Sequence, residues 1–316
     1  WITVNVPEDA APGQYTGTAT LTPEDGAAEE VAINLEVLPV TLREPEGHAF
    51  GMYWGPYRQD DITEERILAQ IDNMREHNMN SVALAAPGGM AIGADGQHEY
   101  DLETVTEVLQ MLRDDGLDAP VPWSYTFPPV ETEFGSDEHR AQVKAFVEHA
   151  MAHFEERGLG EVLWYPRDEP WHGERRVQCK WLLEAIKEVP DARTYTTTRM
   201  DTAEEFDPWL DVRTHTLSLS GGFDPVKAPE SAAASGDTFW WYTNACREYP
   251  DVMRFKGGFF FWKTGATGQF YWAYQYPRSN PTDDRDGIDW CAAYPSETGP
   301  IPTIEWEGLR EGIDDF

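Results

Sequence analysis

The sequence predicts an α/β chain, a (β/α)8 barrel of the TIM type preceded by part of an all-β sandwich. Three observations carry this. From His48 onward, short apolar strand patterns alternate with helical ones. Eight such strands fit into about 230 residues, the usual count and size of this barrel. Before them, residues 1–40 alternate with a period of two and break at Pro- and Gly-containing turns, which is an all-β pattern. The expected organisation is residues 1–46 as the last strands of a sandwich, and residues 47–316 as the barrel with a C-terminal β and helical extension.

In order, Ile2–Val6, Tyr15–Leu21 and Val31–Leu38 read as strands, the last with Ile33, Leu35 and Val37 on one face. Three strands are too few for a sandwich. The chain also starts at Trp1 with no methionine or signal peptide, so it is expected to be a fragment of a longer product. The first barrel strand is Ala49–Trp54, followed by a helix over Asp61–His77 with Ile67, Leu68, Ile71 and Met74 on its buried face. A second strand, Ser81–Ala86, precedes a helix from Leu102 to Asp114. Strand three is Ala119–Phe127, and a long helix then runs from Ser136 to Arg157 through Val143, Phe146, Val147, Ala150 and Phe154. Strand four is the apolar run Val162–Tyr165. The helix after it carries Val177, Trp181, Leu182, Ala185 and Ile186. Strands five to eight fall at Arg193–Thr198, Val212–Leu217, Thr238–Thr243 and Gly268–Tyr276, with short helical cover after five and six.

The 316 residues carry 57 acids against 24 bases, a net charge of −33, and only 6 of the bases are lysines. Such a surface argues against nucleic acid, whose phosphates need basic partners. The acids are spread through all segments, so self-repulsion on this scale points to a high-salt environment, where screening removes its cost. No apolar run approaches the ~20 residues of a membrane span. Cys179, Cys246 and Cys291 are far apart and odd in number, and they define neither a disulfide framework nor a metal site. No cofactor or metal is expected. His149 and His153 have a chelating i, i+4 spacing but lack the glutamate of HExxH, so a solvated pair is expected. The acidic run Asp283–Asp289 lacks the bidentate glutamate of an EF-hand and reads as a solvated loop. Localisation stays open, with an extracellular or cell-surface site favoured, and so does oligomeric state.

Chemistry concentrates at Glu161–His172, EVLWYPRDEPWH. Strand four ends in adjacent carboxylates, Asp168 and Glu169, before Pro170, which biases Glu169 towards an extended backbone. The pair lies at the carboxyl end of a barrel strand, the face that carries active sites. Its bland alternative is Asp168 as a helix cap with Glu169 solvated. Aromatic residues crowd the strand ends. Sugars present flat C–H faces that suit such rings, although about half should fill the barrel interior. Trp54, Trp123, Tyr125, Trp241, Tyr242 and Trp272, with His215, are the expected substrate contacts.

Three stretches together resemble glycoside hydrolase family 123. YPRDEPW is similar to the Asp-Glu motif of its catalytic domain. DGIDWCAAYPSETGPIPTIEWEGLREGIDDF, from Asp286, resembles the segment after the eighth strand. VPEDAAPGQYTGTATL resembles the preceding sandwich. One departure is Glu305, where the family usually has arginine. The resemblance implies a retaining, exo-acting β-N-acetylgalactosaminidase with a carbohydrate substrate, in which the 2-acetamido group of the substrate is the nucleophile. It further implies that Asp168 orients that group and Glu169 is the general acid/base. Two alternatives remain at this level: a non-catalytic carbohydrate-binding barrel, and a glycosidase with a protein nucleophile, which needs a second carboxylate across the mouth, such as Asp201 or Asp224, though nothing in the sequence singles these out.

Overall fold

The structure, a computed structural model, describes residues 2–7, 9–43, 45–58, 62–93, 97–124, 132–245, 249–276 and 289–316. The chain separates into two units, Trp1–Glu46 and Gly47–Phe316.

In the first unit, β1 (Gly13–Leu21) pairs antiparallel with β2 (Glu29–Val37). Ile33, Leu35 and Val37 are the half-buried positions of β2, as period-two alternation requires. The strand expected at Ile2–Val6 does not form. Alternation gives strand tendency, but a strand also needs a neighbour to bond its backbone groups, and among the described residues this stretch has none.

The second unit is the predicted barrel. β3 (Ala49–Trp54) leads through α1 (Glu64–Glu76) to β4 (Ser81–Leu84). A hairpin that the sequence pattern did not reveal, β5 (Gly89–Ile92) with β6 (His98–Asp101), precedes α2 (Glu103–Asp114). Then come β7 (Val121–Ser124), α3 (Asp137–Glu156), β8 (Val162–Tyr165), α4 (Gly173–Ile186) and β9 (Tyr195–Thr198). Only short 3-10 turns follow β9, and a short α5 (Lys227–Ser235) follows β10 (Val212–Thr216), so the cover is thin where expected. After β11 (Thr238–Asn244), α6 (Pro250–Phe255) and α7 (Phe261–Thr264) are joined by a π-helical turn and lead to β12 (Gly268–Trp272). The tail adds β13 (Gln275–Tyr276), β14 (Trp290–Cys291), β15 (Ala293–Tyr294), β16 (Ile301–Pro302) and α8 (Ile304–Asp315).

The eight parallel strands run in the order β8-β7-β4-β3-β12-β11-β10-β9. One isolated parallel bridge, Trp164 to Thr194, joins the two edges, with the Trp164 amide donating to the Arg193 carbonyl at 2.8 Å. The barrel is thus nearly closed, with its seam between β8 and β9. Tyr53, Tyr165, Tyr195, Trp240, Tyr242 and Phe270 fill the interior. Glycines make the space for two of these rings. A Cβ at Gly51 would lie 2.3 Å from Phe270, and one at Gly268 would lie 2.4 Å from Trp240. The alternate strand residues face outward, where Trp123 and Trp164 meet Phe146 of α3.

Two helix faces are rotated from their expected positions. Leu68 and Val177 are exposed, whereas Gln70 and Asn73 of α1 and Leu183 of α4 are buried. Asn73 is tolerated in the core because its Oδ1 accepts from the Tyr274 hydroxyl at 3.0 Å and the Trp306 indole at 3.2 Å. Hydrophobicity alone cannot signal a polar core position of this kind.

Candidate active site

β8 delivers Asp168 and Glu169 to the carboxyl end of the barrel, at the seam. Asp168 is exposed and Glu169 half-buried. Glu169 does not take the extended backbone expected before Pro170. Its φ is +46°, in the left-handed region. For a non-glycine residue this costs of order 1–3 kcal/mol. The turn is held at both ends, the Glu169 amide donating to Thr197 Oγ1 at 2.7 Å and its carbonyl accepting from the Trp171 amide at 2.8 Å. The N-cap of α4 is His172, so Asp168 does not cap that helix.

The turn sends the two adjacent side chains to different partners. Asp168 Oδ1 accepts from the Tyr165 hydroxyl and from Thr197 Oγ1, the latter at 2.9 Å. Glu169 Oε1 accepts from the Tyr242 hydroxyl at 2.5 Å. Arg175 reaches the Asp168 carbonyl at 3.1 Å. Burial pushes the Glu169 carboxyl above its ordinary value. The Tyr242 bond opposes this, the Asp168 charge adds to it, and Arg175 opposes it weakly. Burial also raises the phenols of Tyr53, Tyr165, Tyr195 and Tyr242, so all four remain hydrogen-bond donors across the working pH range.

Asp168 borders a cavity of about 100 Å³ with Tyr53, Trp54, Ser124, Tyr165 and Trp272. Asp168 is the one carboxylate among its described lining residues. Asp201 and Asp224, two of the possible protein nucleophiles, have other partners. Asp201 pairs with Arg199 at 2.9 Å, and Asp224 accepts the amides of Val226 and Lys227 at 2.9 and 3.1 Å, at the start of α5.

Strand parity sorts the expected substrate contacts. Tyr242 and Trp272 are on the inner face. Trp272 lies 5.7 Å from the Tyr53 ring and 5.0 Å from that of Tyr276. Trp123, Trp241 and His215 are on the outer face, under the helices. The Trp123 indole donates to the Ala86 carbonyl at 3.1 Å, and that of Trp241 to Thr264 Oγ1 at 3.3 Å. His215 packs on Phe239 and bonds Thr198 at 3.0 Å, and burial lowers its pKa to about 3. Trp54 borders the cavity, but its indole donates to Gln70 of α1 at 2.7 Å. Tyr125 lies outside the described residues, as do Cys246 and all of the acidic run except Asp289. Tyr53, Tyr165 and Thr197 were not foreseen, although Tyr165 stands three residues before Asp168 on the inward parity of β8.

A more open depression of about 430 Å³ lies on the outer helices α2 and α3, around Tyr100, Glu103, His149 and His153. His149 is exposed, as expected for a solvated residue, and His153 is half-buried. The His149 ring stacks on Tyr100 at 3.9 Å, and His153 Nε2 lies 2.8 Å from Thr106 Oγ1. Among the described residues, no group of three or more His, Cys, Asp or Glu side chains is arranged to hold a metal ion.

Solved structures share this fold at low identity. A family 123 glycoside hydrolase from Clostridium perfringens, studied for glycolipid glycan hydrolysis, is 16% identical with a TM-score of 0.69 over 99% of this chain and 66% of its own. The exo-β-1,4-mannosidase Op5Man5 from Opitutaceae bacterium strain TAV5 is 15% identical, TM-score 0.57, over 84% and 59%. The β-mannanase AaManA of family 113 from Alicyclobacillus acidocaldarius is 12% identical, TM-score 0.52, over 84% and 96%. The chain thus spans less than two thirds of the length of the first two. No curated protein sequence matches it. The family model "Glycoside hydrolase 123, catalytic domain" matches residues 89–316, from β5 through the Asp168–Glu169 turn to the end of α8, and the chain belongs to glycoside hydrolase family 123.

Proposed function

We propose that this chain removes a terminal β-linked N-acetylhexosamine, N-acetylgalactosamine foremost, by a retaining and substrate-assisted route. The observation that carries the reading is the left-handed turn at Glu169, which gives two adjacent carboxylates different surroundings. A single acid with a raised pKa and a separately held anion are what this route needs.

In the first step Glu169, protonated, gives its proton to the glycosidic oxygen as the bond to the anomeric carbon breaks. The acetamido carbonyl oxygen of the same sugar attacks that carbon, closing a five-membered ring, and Asp168 accepts the amide N–H as positive charge develops on the nitrogen. In the second step Glu169, now a carboxylate, takes a proton from water as the water opens the ring at the anomeric carbon. The intramolecular nucleophile gains from proximity, and the acid contributes ~10²–10⁴-fold. Such substrate assistance is a known exception to the two-carboxylate scheme.

The test compares aryl glycosides bearing a 2-acetamido group with those bearing a 2-hydroxyl, using wild-type protein in high salt. Only the former should be cleaved; equal rates would sink the reading. Glu169→Gln should lose poorly activated substrates but keep part of the rate with a good leaving group, whereas the loss in Asp168→Asn should persist whatever the leaving group.

A further inference from the structure

The catalytic turn hangs from β8, which with β9 forms the two edges of the eight-stranded sheet. Most neighbouring strands share several ladder pairs and β4 and β7 share one, whereas β8 and β9 are linked among the described residues by the isolated Trp164–Thr194 bridge, just before β9 begins. Side-chain hydroxyls of the Thr196–Thr198 run make up part of that deficit. Thr196 Oγ1 donates to the Arg167 carbonyl at 2.7 Å, one residue before Asp168. Thr197 Oγ1 does more. It accepts the Glu169 amide at 2.7 Å and donates to Asp168 Oδ1 at 2.9 Å. A threonine hydroxyl has one proton and two lone pairs. Its proton therefore goes to one carboxylate, and a lone pair fixes the backbone that aims the other. The Tyr165 hydroxyl converges on the same Oδ1 and lies 3.2 Å from Thr197 Oγ1.

We propose that Thr197 is a positioning residue that holds both carboxylates at once, stitching the barrel seam and keeping Glu169 in its left-handed conformation. This rests on the roles given above to Asp168 and Glu169. Without the hydroxyl, Glu169 loses one of the two bonds that hold a backbone conformation disfavoured for its type. The acid then leaves its line to the glycosidic oxygen, and Asp168 Oδ1 loses one of its two donors. The substrate's remaining contacts are untouched, so the loss belongs in kcat rather than KM.

Thr197→Val keeps the shape and removes the hydroxyl, and Thr197→Ser keeps the hydroxyl. With an aryl 2-acetamido glycoside, Thr197→Val should lower kcat by ~10²-fold with little change in KM, the scale of a misplaced reacting group. Thr197→Ser should recover most of that loss. Amide exchange at Glu169, followed by NMR in the same proteins without substrate, should speed up in Thr197→Val and stay slow in Thr197→Ser. Undiminished kcat in Thr197→Val, or an equal loss in Thr197→Ser, overturns the proposal. If wild type does not cleave the 2-acetamido glycoside, the functional reading fails on its own, and the Glu169 exchange decides the role of Thr197: unchanged exchange in Thr197→Val overturns it. Should Thr197→Val not fold, Thr197→Ser is compared with Thr197→Ala on the same criteria.

Discussion

Tyr242 shows how one hydroxyl sets the working range of an acid. Its O–H donates to Glu169 Oε1, which favours the ionised carboxyl, while burial favours the neutral form and prevails. Removing the donor leaves burial less opposed. Tyr242→Phe should therefore move the alkaline limb of kcat/KM to higher pH, because Glu169 must be protonated to act and would hold its proton longer. The measurement is a pH profile on a weakly activated glycoside. A limb that shifts to lower pH would mean that Tyr242 supports the acid form instead. Parity is the other lesson at this scale. Trp241 and Tyr242 are neighbours in sequence, yet one packs under Phe261 and the other reaches Glu169. The ring chemistry of a strand-end aromatic does not say which face it takes.

Among the elements, α6 and α8 pack with their backbones nearly in contact. A Cβ on Gly308 would lie 2.4 Å from the Pro250 carbonyl oxygen, and one on Gly312 would lie 2.4 Å from that of Arg254. Alanine or valine at these positions improves helix propensity by at most ~1 kcal/mol. Forcing a side chain against backbone costs typically ~1–3 kcal/mol. The clash prevails, and Gly312→Val should destabilise the protein by about 2 kcal/mol. Urea unfolding is the suitable assay, because urea carries no charge and leaves ionic strength fixed. A midpoint equal to or above that of wild type would show that the helices can separate without loss. Helix α8 was legible in the sequence as the end of the family-like C-terminal stretch, and its N-cap is Thr303, which accepts the Trp306 amide at 3.3 Å. The β5–β6 hairpin was not, since four-residue strands with one buried position leave too little alternation to detect.

For the whole molecule, charge is the dominant feature. With 57 acids and 24 bases, pairing every base would still leave 33 carboxylates unmatched. Their repulsion is long-ranged in dilute buffer, where the screening length is ~10 Å at 0.1 M, and nearly gone at 1 M, where it is ~3 Å. Salt also weakens the surface ion pairs, but each of these contributes only ~0–1 kcal/mol. The repulsive sum should prevail, so the melting temperature is expected to rise from dilute buffer to molar potassium chloride. A flat or falling curve would assign the acidic surface another role.

Local periodicity and chain order suffice for the alternation of strands and helices, the eight-strand count, and the position of Asp168 and Glu169 at a strand end. The sequence also carried the family signature later matched over residues 89–316. The construction of the site depends instead on contacts made in three dimensions. The seam falls between β8 and β9, and a threonine from the next strand, through its bonds to Asp168 and the Glu169 amide, outweighs the extended preference that Pro170 imposes on Glu169. On the outer face, Arg213 is fully buried because Asp237, 2.6 Å away, and Asp207 pair with it. In each case the deciding partner lies far from its target along the chain or on another element, and no local pattern encodes a contact that forms only when the barrel closes.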